Sequence, residues 1–445
     1  MAGCLDTVVS GHSGTYLTDS PSYSYFISRF IRHTKFTTNT LEMSLNGNID
    51  RGHTLIAPIS TTAGDMVSNM TIKIFLNKTI NTNVYDSFVK STIEYVDLFI
   101  GGQLIDRLTT DYISMYLKLN SSELGDLDIL YRDSYNVNSH FSTNIPLYLN
   151  LPFYFYKRPN LAIPICAMSK QSLEVHIKMR DPIEFQSTYM PKNYSEDLKI
   201  SKMSILVDYH HIMDVERDFF MTRPIDYIIT QKQYAKKIIK SSNIDKEHSF
   251  MCNFKHPVYE FMFFLKHDAW EKLTNKGTIH EELDYAKFKI NDQVLFSGDN
   301  NDLSHDQYLK RYKSSASIVE EELIWHEDYY NETFIDSNDI LSLEAVRDLP
   351  GGPNSTNSLE WFKTFKVKNG LFYVYSVGMN LTDFEHSGHI NMSRIIHQKF
   401  EFKFKTPDEN SIYSVWNDLY DTTFSLYALN YNILTFKDGL CGLKY

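Results

Sequence analysis

The chain has 445 residues, 42% hydrophobic and 22% charged, with a formal net charge of −11. That is room for two or three domains with sizeable cores, and the acidic balance argues against a nucleic-acid footprint. Cys4, Cys166, Cys252 and Cys441 stand far apart with no C-x-x-C pair, which argues against a disulfide framework or a thiolate zinc site.

The first residues, MAGCLDTVVSG, carry neither a basic n-region nor an apolar core, so no signal peptide is expected. Glycine stands at position 3, not 2, against myristoylation. The longest nearly apolar runs, such as 259–265, fall far short of the ~18 residues that span a bilayer. Aromatic residues reach 14%, which favours strands.

Residues 1–24 are small and polar, with Gly3, Gly11, Gly14 and Pro21, and read as an arm. Strand signals begin at Leu41, Met43 and Leu45 and recur at Ile72, Ile74 and Leu76. Residues 93–105 give two apolar runs split by Gly101-Gly102, a hairpin pattern that runs on into Gln103. Residues 110–125 are the best helical candidate of this half. Pro152, Pro159 and Pro164 punctuate a buried aromatic run. Leu173, Val175, Ile177 and Met179 alternate with Glu174, His176, Lys178 and Arg180, a clean strand.

A last strand, 205–212, precedes a polar stretch from Asp214, and the domain boundary is expected near 214–224. Beyond it come 225–229, then Asn253-Phe254-Lys255-His256-Pro257 before the apolar 258–265. Phe288 and Ile290 precede Asn291-Asp292-Gln293 and 294–296. Residues 298–360 are long and polar, with fourteen Asp/Glu against four Lys/Arg, so this stretch carries −10 of the chain's −11. Strands resume at 371–377. Phe400, Phe402 and Phe404 alternate with Lys399, Glu401, Lys403 and Lys405, which predicts three rings on a core face. The last strand signal is 425–436.

The halves echo one another. Residues 100–105 match 290–295, and the strand from Leu173 matches the one from Phe400, in the same order along the chain. The predicted fold is all-β: two consecutive eight-stranded jelly-roll sandwiches with short helices in the loops, spanning 25–218 and 219–445, the second carrying the acidic insertion.

Few residues offer chemistry. His210 and His211, adjacent on a strand, point to opposite faces and cannot share a metal. His386 and His389 flank a turn without a cupin-type ligand set. Glu320, Glu321 and Glu322 read as an acidic loop, since nothing in an irregular segment enforces a carboxylate pair. Lys232, Lys236, Lys237 and Lys240 read as a solvated or subunit-contact stripe. No P-loop, G-x-S-x-G or H-E-x-x-H occurs. Eight N-x-S/T sequons occur, Asn69 and Asn391 among them, without a secretory route that would use them. No catalytic, cofactor or metal site is expected, and the chain is not read as an enzyme.

The stretch Gly388-His389-Ile390-Asn391-Met392-Ser393-Arg394-Ile395 resembles the G-x-x-N-F-S-R-I signature of the major capsid protein of nucleo-cytoplasmic large DNA viruses. Residues 96–107, 159–179, 207–220, 253–261 and 426–445 resemble the same phycodnavirus- and iridovirus-like family in order, and the likeness lapses over roughly 268–285 and 298–365. The resemblance makes Gly388, Asn391, Ser393, Arg394, Ile395, Gly101, Gly102, Gln103, Asn253, His256 and Pro257 structural signature residues. It implies a double-jelly-roll homotrimer of pseudo-hexagonal outline, tiling an icosahedral virion capsid with minor capsid and penton partners. It also implies assembly in the host cytoplasm and no direct nucleic-acid binding, and it is compatible with an inner membrane beneath the shell. The rival reading is a glycan-binding or glycan-cleaving β-sandwich, which needs an aromatic groove with paired carboxylates.

Overall fold

The structure is a computed structural model. It describes residues 16–28, 30–50, 52–76, 93–119, 146–180, 200–240, 246–267, 283–299, 302–303, 321–324, 366–369, 372–379, 386–405 and 421–445. Residues 1–36 and 37–445 are separate compact units, and the sheets belong to the second, with the first strand beginning at the junction.

The first half holds β1 (Phe36–Ser44), β2 (Thr54–Ile59), β3 (Met66–Leu76), β4 (Ile93–Ile100), β5 (Gln103–Thr109), helix α1 (Thr110–Leu119), β6 (Leu147–Asn150), β7 (Leu173–Met179) and β8 (Ile200–Ile212). These strands form two sheets, ordered β1-β8-β3-β6 and β2-β7-β4-β5. Helix α2 (Asp214–Thr222) follows. The second half holds β9 (Ile225–Ile239), β10 (His248–Cys252), β11 (Pro257–His267), β12 (Leu283–Ile290), β13 (Gln293–Asp299), β14 (Glu321–Ile324), β15 (Lys366–Asn369), β16 (Tyr373–Ser376), β17 (Ile390–Asn391), β18 (Gln398–Phe404), β19 (Thr422–Lys437) and β20 (Leu440–Leu443). One of its sheets runs β10-β18-β12-β13. The other runs β9-β19-β11-β16, with β20 also on β19 and β17 also on β11. Strand for strand, this repeats the first half. The fold is a double jelly roll.

The repeat holds at the level of single bonds. Gly101 and Gly102 have φ of 56° and 80°, and Asn291 and Asp292 have 46° and 67°. Two-residue hairpins need this left-handed pair, which glycine and Asn/Asp supply at least cost. Gly101 N donates to Ser172 O and Asn291 N to His397 O, at 2.8 and 2.9 Å. Ile100 pairs with Leu173, and Ile290 with Gln398. The equivalent of Leu173 is therefore Gln398, two residues before Phe400. The shift keeps the same facing, because side chains alternate with period two.

Strand β7 alternates buried and half-buried residues, as a sheet with one solvated face should. Strands β11 and β19 do not: both are buried almost without break from residue 260 to 265 and from 424 to 430. Their sheet is covered on both faces. Phe261, Phe263, Phe424 and Leu426 enter the core of the second roll. Met262, Phe264, Tyr427 and Leu429 join the core of the first roll, with Tyr112 of α1 and Phe153 and Phe155 of the β6–β7 corner. The two rolls thus share a buried junction built like a core.

Strand directions sort the connections by end. The turns at 101–102 and 291–292, the corner 151–172, α2 and the corner 377–397 lie at one end of the rolls. The β3–β4, β5–β6, β7–β8, β11–β12, β13–β16 and β18–β19 connections leave from the other. The acidic stretch belongs to the β13–β16 connection. Glu321 and Glu322 begin β14, paired with β15, so they are strand residues and not part of an irregular loop. Glu320 and most of 298–360, with residues 120–125 of the predicted helix, lie outside the described residues.

Candidate functional site

Eight of the signature residues, Gly388, Asn391, Ser393, Arg394, Ile395, Asn253, His256 and Pro257, gather where the β16–β18 corner meets the turn before β11. A one-turn 3₁₀ segment at Met392–Arg394 starts with Asn391, whose side-chain oxygen accepts from Ser393 N at 3.2 Å. Ser393 Oγ accepts from His256 N at 2.8 Å, and Met392 N donates to His256 O at 3.0 Å. His256 sits at φ 64°, a left-handed position that these two bonds hold in place. Burial and neighbouring Lys255 push its imidazole below the usual pKa. Pro257 and Asn391 pair as β11 meets β17. Met392 is fully buried, so the position where the signature has Phe still serves as an apolar plug. Asn253, Arg394 and, in part, Ile395 remain exposed around this knot.

Sequence reading missed the hub of the knot. Gln398 is buried, and its side-chain oxygen accepts from Phe254 N at 2.8 Å. Its amide donates to Phe254 O, Met392 O and Ile395 O. One side chain thus satisfies backbone groups of two segments, the stretch at Phe254 and the 3₁₀ turn with its cap. A glutamine in a row of alternating aromatics was the available signal.

Gly388 adopts φ 140°, and a Cβ there would stand 3.3 Å from Val377 O. Gly388→Ala should therefore cost about 1–3 kcal/mol, read as a lowered midpoint in urea unfolding. A midpoint equal to the parent's would mean that the corner relaxes freely and that the signature glycine has another purpose.

Gly101, Gly102 and Gln103 occupy a different place, against the C-terminal hairpin. Gln103 Oε1 accepts from Leu443 N, and Gln171 Oε1 accepts from Cys441 N. A Cβ on Gly101 would collide with the Gln171 side chain. Gly101 lets the first roll's hairpin close over the glutamine that grips β20, while a Cβ on Gly102 would meet only open space.

The expected basic stripe on β9 is corrected at Lys232. It is buried in the junction, 2.6 Å from Asp106. Its ammonium also donates to Pro152 O and lies 5.3 Å from the Tyr112 ring centroid. Burial pushes the Asp106 carboxyl up, and Lys232 opposes this. On the outer face of β18, Lys289 and Lys399 hold the Glu401 carboxyl below the usual carboxylate range. His210 bonds Thr38 and Ser68 instead of a metal. Asn69 bonds Asp208 and Lys157 N, so two sequon amides, Asn69 and Asn391, are engaged internally. Among the described residues no group of three His, Cys, Asp or Glu could hold a metal, and no helix is long and apolar enough to cross a membrane. A cavity of about 410 Å³ beside the knot is lined by His256, His386, His389 and Tyr431 with polar Asn391, Ser393 and Asn432 and apolar groups, and no Asp or Glu is among these lining residues.

What this architecture offers is rigid surfaces. The family model for the major capsid protein N-terminus matches residues 24–212, and that for the large eukaryotic DNA virus major capsid protein matches residues 364–442. The major capsid protein of Pyramimonas orientalis virus is 24% identical over 458 residues, covering 100% of this chain and 99% of the relative. That of Paramecium bursaria Chlorella virus 1 is 24% identical over 480 residues, covering 100% of both. A quasi-atomic model of the PBCV-1 virus capsid shares the fold with a TM-score of 0.70 at 19% identity, covering 95% of this chain and 100% of that one. The Faustovirus major capsid protein does so with a TM-score of 0.57 at 10% identity, covering 98% and 96%. With paired rolls, two family models in register and relatives matched end to end, the chain belongs to the major capsid proteins of large eukaryotic DNA viruses.

Proposed function

We propose that the chain works as a homotrimeric capsomer of pseudo-hexagonal outline that tiles an icosahedral shell. The observation that carries this is the bond-level equivalence of the two rolls about the 101–102 and 291–292 turns. Three chains then present six similar lobes, and a six-lobed block packs as a hexagonal array. The buried junction between rolls suits such a block, since lobes that flexed independently would blur the outline. In this reading residues 1–24 are an arm, 25–218 and 219–445 are the two lobes, and the signature residues are structural ties. Neighbouring capsomers, minor capsid proteins and a penton protein are the partners, and assembly takes place in the host cytoplasm. Native mass spectrometry with electron micrographs tests it. A trimer with three-fold particles is expected, and a monomer at micromolar concentration overturns the reading.

The acidic stretch goes with the outer face of that shell. A segment of charge −10 is repelled by packaged nucleic acid and by anionic head groups. Its connection leaves from the end of the roll opposite the signature corner. Limited proteolysis of intact particles should cut within 298–360 first. Cleavage only after the shell is broken would place that end inward.

A further inference from the structure

No ion pair among the described residues is buried as deeply as Lys232–Asp106, whose side chains are 4% and 0% exposed. The two residues face each other from β9 and β5, 126 positions apart, with the buried Tyr112 ring beside the ammonium. Gln231, next to the lysine, donates its side-chain amide to Ile105 O, next to the aspartate. That bond ties the two strands together where the pair sits, so the pair is held in one geometry.

The two carboxyl oxygens differ. Oδ1 accepts from Arg107 N at 3.1 Å and from Lys232 N at 3.3 Å. Oδ2 faces the Lys232 ammonium at 2.6 Å, and Pro152 O holds the same ammonium from another side at 3.1 Å. Two backbone N–H groups thus polarise one oxygen, and a nitrogen nucleophile stands a hydrogen bond away from the other. Burial pushes the carboxyl up, which favours passing one ammonium proton to Oδ2 and leaving a neutral amine beside a neutral acid.

We propose that Lys232 and Asp106 condense into an isopeptide bond that joins the two rolls covalently, with the ion pair as its reactant form. Nζ, as the free amine, attacks Cγ. Its electron pair forms the N–C bond, and the carbonyl pair moves onto Oδ1, where the two backbone N–H groups stabilise it. When that oxyanion collapses, the Cγ–Oδ2 bond breaks and Oδ2 leaves as water. Of the three ammonium protons, two leave in this water and one stays on Nζ. The step is a condensation and needs no redox partner. The remaining N–H can still donate to Pro152 O, and Oδ1 keeps both backbone donors. The product therefore carries no buried charge and strands no polar atom.

Intact-mass measurement of the full-length protein, incubated in native buffer and then denatured, tests this. The expected species is lighter than the sequence by one water, and its fraction grows with time. Its tryptic digest contains one branched peptide joining positions 106 and 232, uncut after Lys232. Lys232→Met and Asp106→Ala each abolish the loss, and so does incubation in urea, because only the fold brings the pair together. A chain of full sequence mass after long incubation, with linear peptides over both positions, overturns the proposal. A water loss that survives Lys232→Met, or that maps to a linear peptide around Asp106, is attack on the carboxyl by its own backbone and overturns it as well.

Discussion

Phe402→Ala should lower stability by about 3–5 kcal/mol. Phe402 is fully buried on β18, the inner strand between β10 and β12. Its ring stacks on Phe424 at 4.3 Å between centroids and meets Phe400, Phe404 and His248 within 6.0 Å. Truncation forfeits the transfer free energy of the ring and leaves a cavity walled by other rings. Phe400, Phe404 and Phe424 sit on strands paired on both sides, so the hole cannot collapse. The loss should therefore fall at the upper end for a core aromatic. Lys403→Ala, one residue on and facing outward, removes only an exposed pair with Asp284 and should be near neutral. Urea unfolding of both variants checks the pair, and equal midpoints would show that the facing of β18 is wrong.

Lys232→Ala should cost about as much, roughly 3–5 kcal/mol, for a different reason. It strands the Asp106 carboxylate, which is fully buried, with only the backbone N–H groups of Arg107 and Lys232 as donors. It also leaves Pro152 O without its ammonium donor. Because Asp106 is on β5 and Lys232 on β9, the damage falls on the contact between rolls. Faster hydrogen exchange should appear in β5 and β9, with the hairpin at 291–292 protected as before. The double variant Asp106→Asn/Lys232→Met should recover much of the loss, since replacing both members removes the orphaned charge. If Lys232→Ala alone is tolerated, the pair is hydrated and the junction is looser than it looks.

Much of the fold was legible in the sequence because it is local. Period-two alternation at 173–179 and 400–404 needs only the geometry of one strand. The turns at Gly101-Gly102 and Asn291-Asp292 announce themselves through the residue types that tolerate positive φ. The signature's ties are less legible. Asn391 capping Ser393 spans two residues, but Ser393 meets His256 across 137 positions and Gln398 meets Phe254 across 144. A glutamine among phenylalanines signals something; it does not say which backbone it will satisfy.

By itself, then, the sequence determined strand faces, hairpins and the doubling of the roll, since each follows from spacing and from backbone preference at single residues. Tertiary structure alone decided the partners. Lys232 resembles its neighbours Lys236 and Lys237 on paper, yet it is the one that finds Asp106, 126 residues away. The apolar runs of β11 and β19 become intelligible only once the first roll covers their second face. The exposed Val215 and Phe219 of α2 are likewise a property of the folded chain. Amphipathic spacing shows which side of an element wants cover, and only packing shows whether one copy of the chain supplies it.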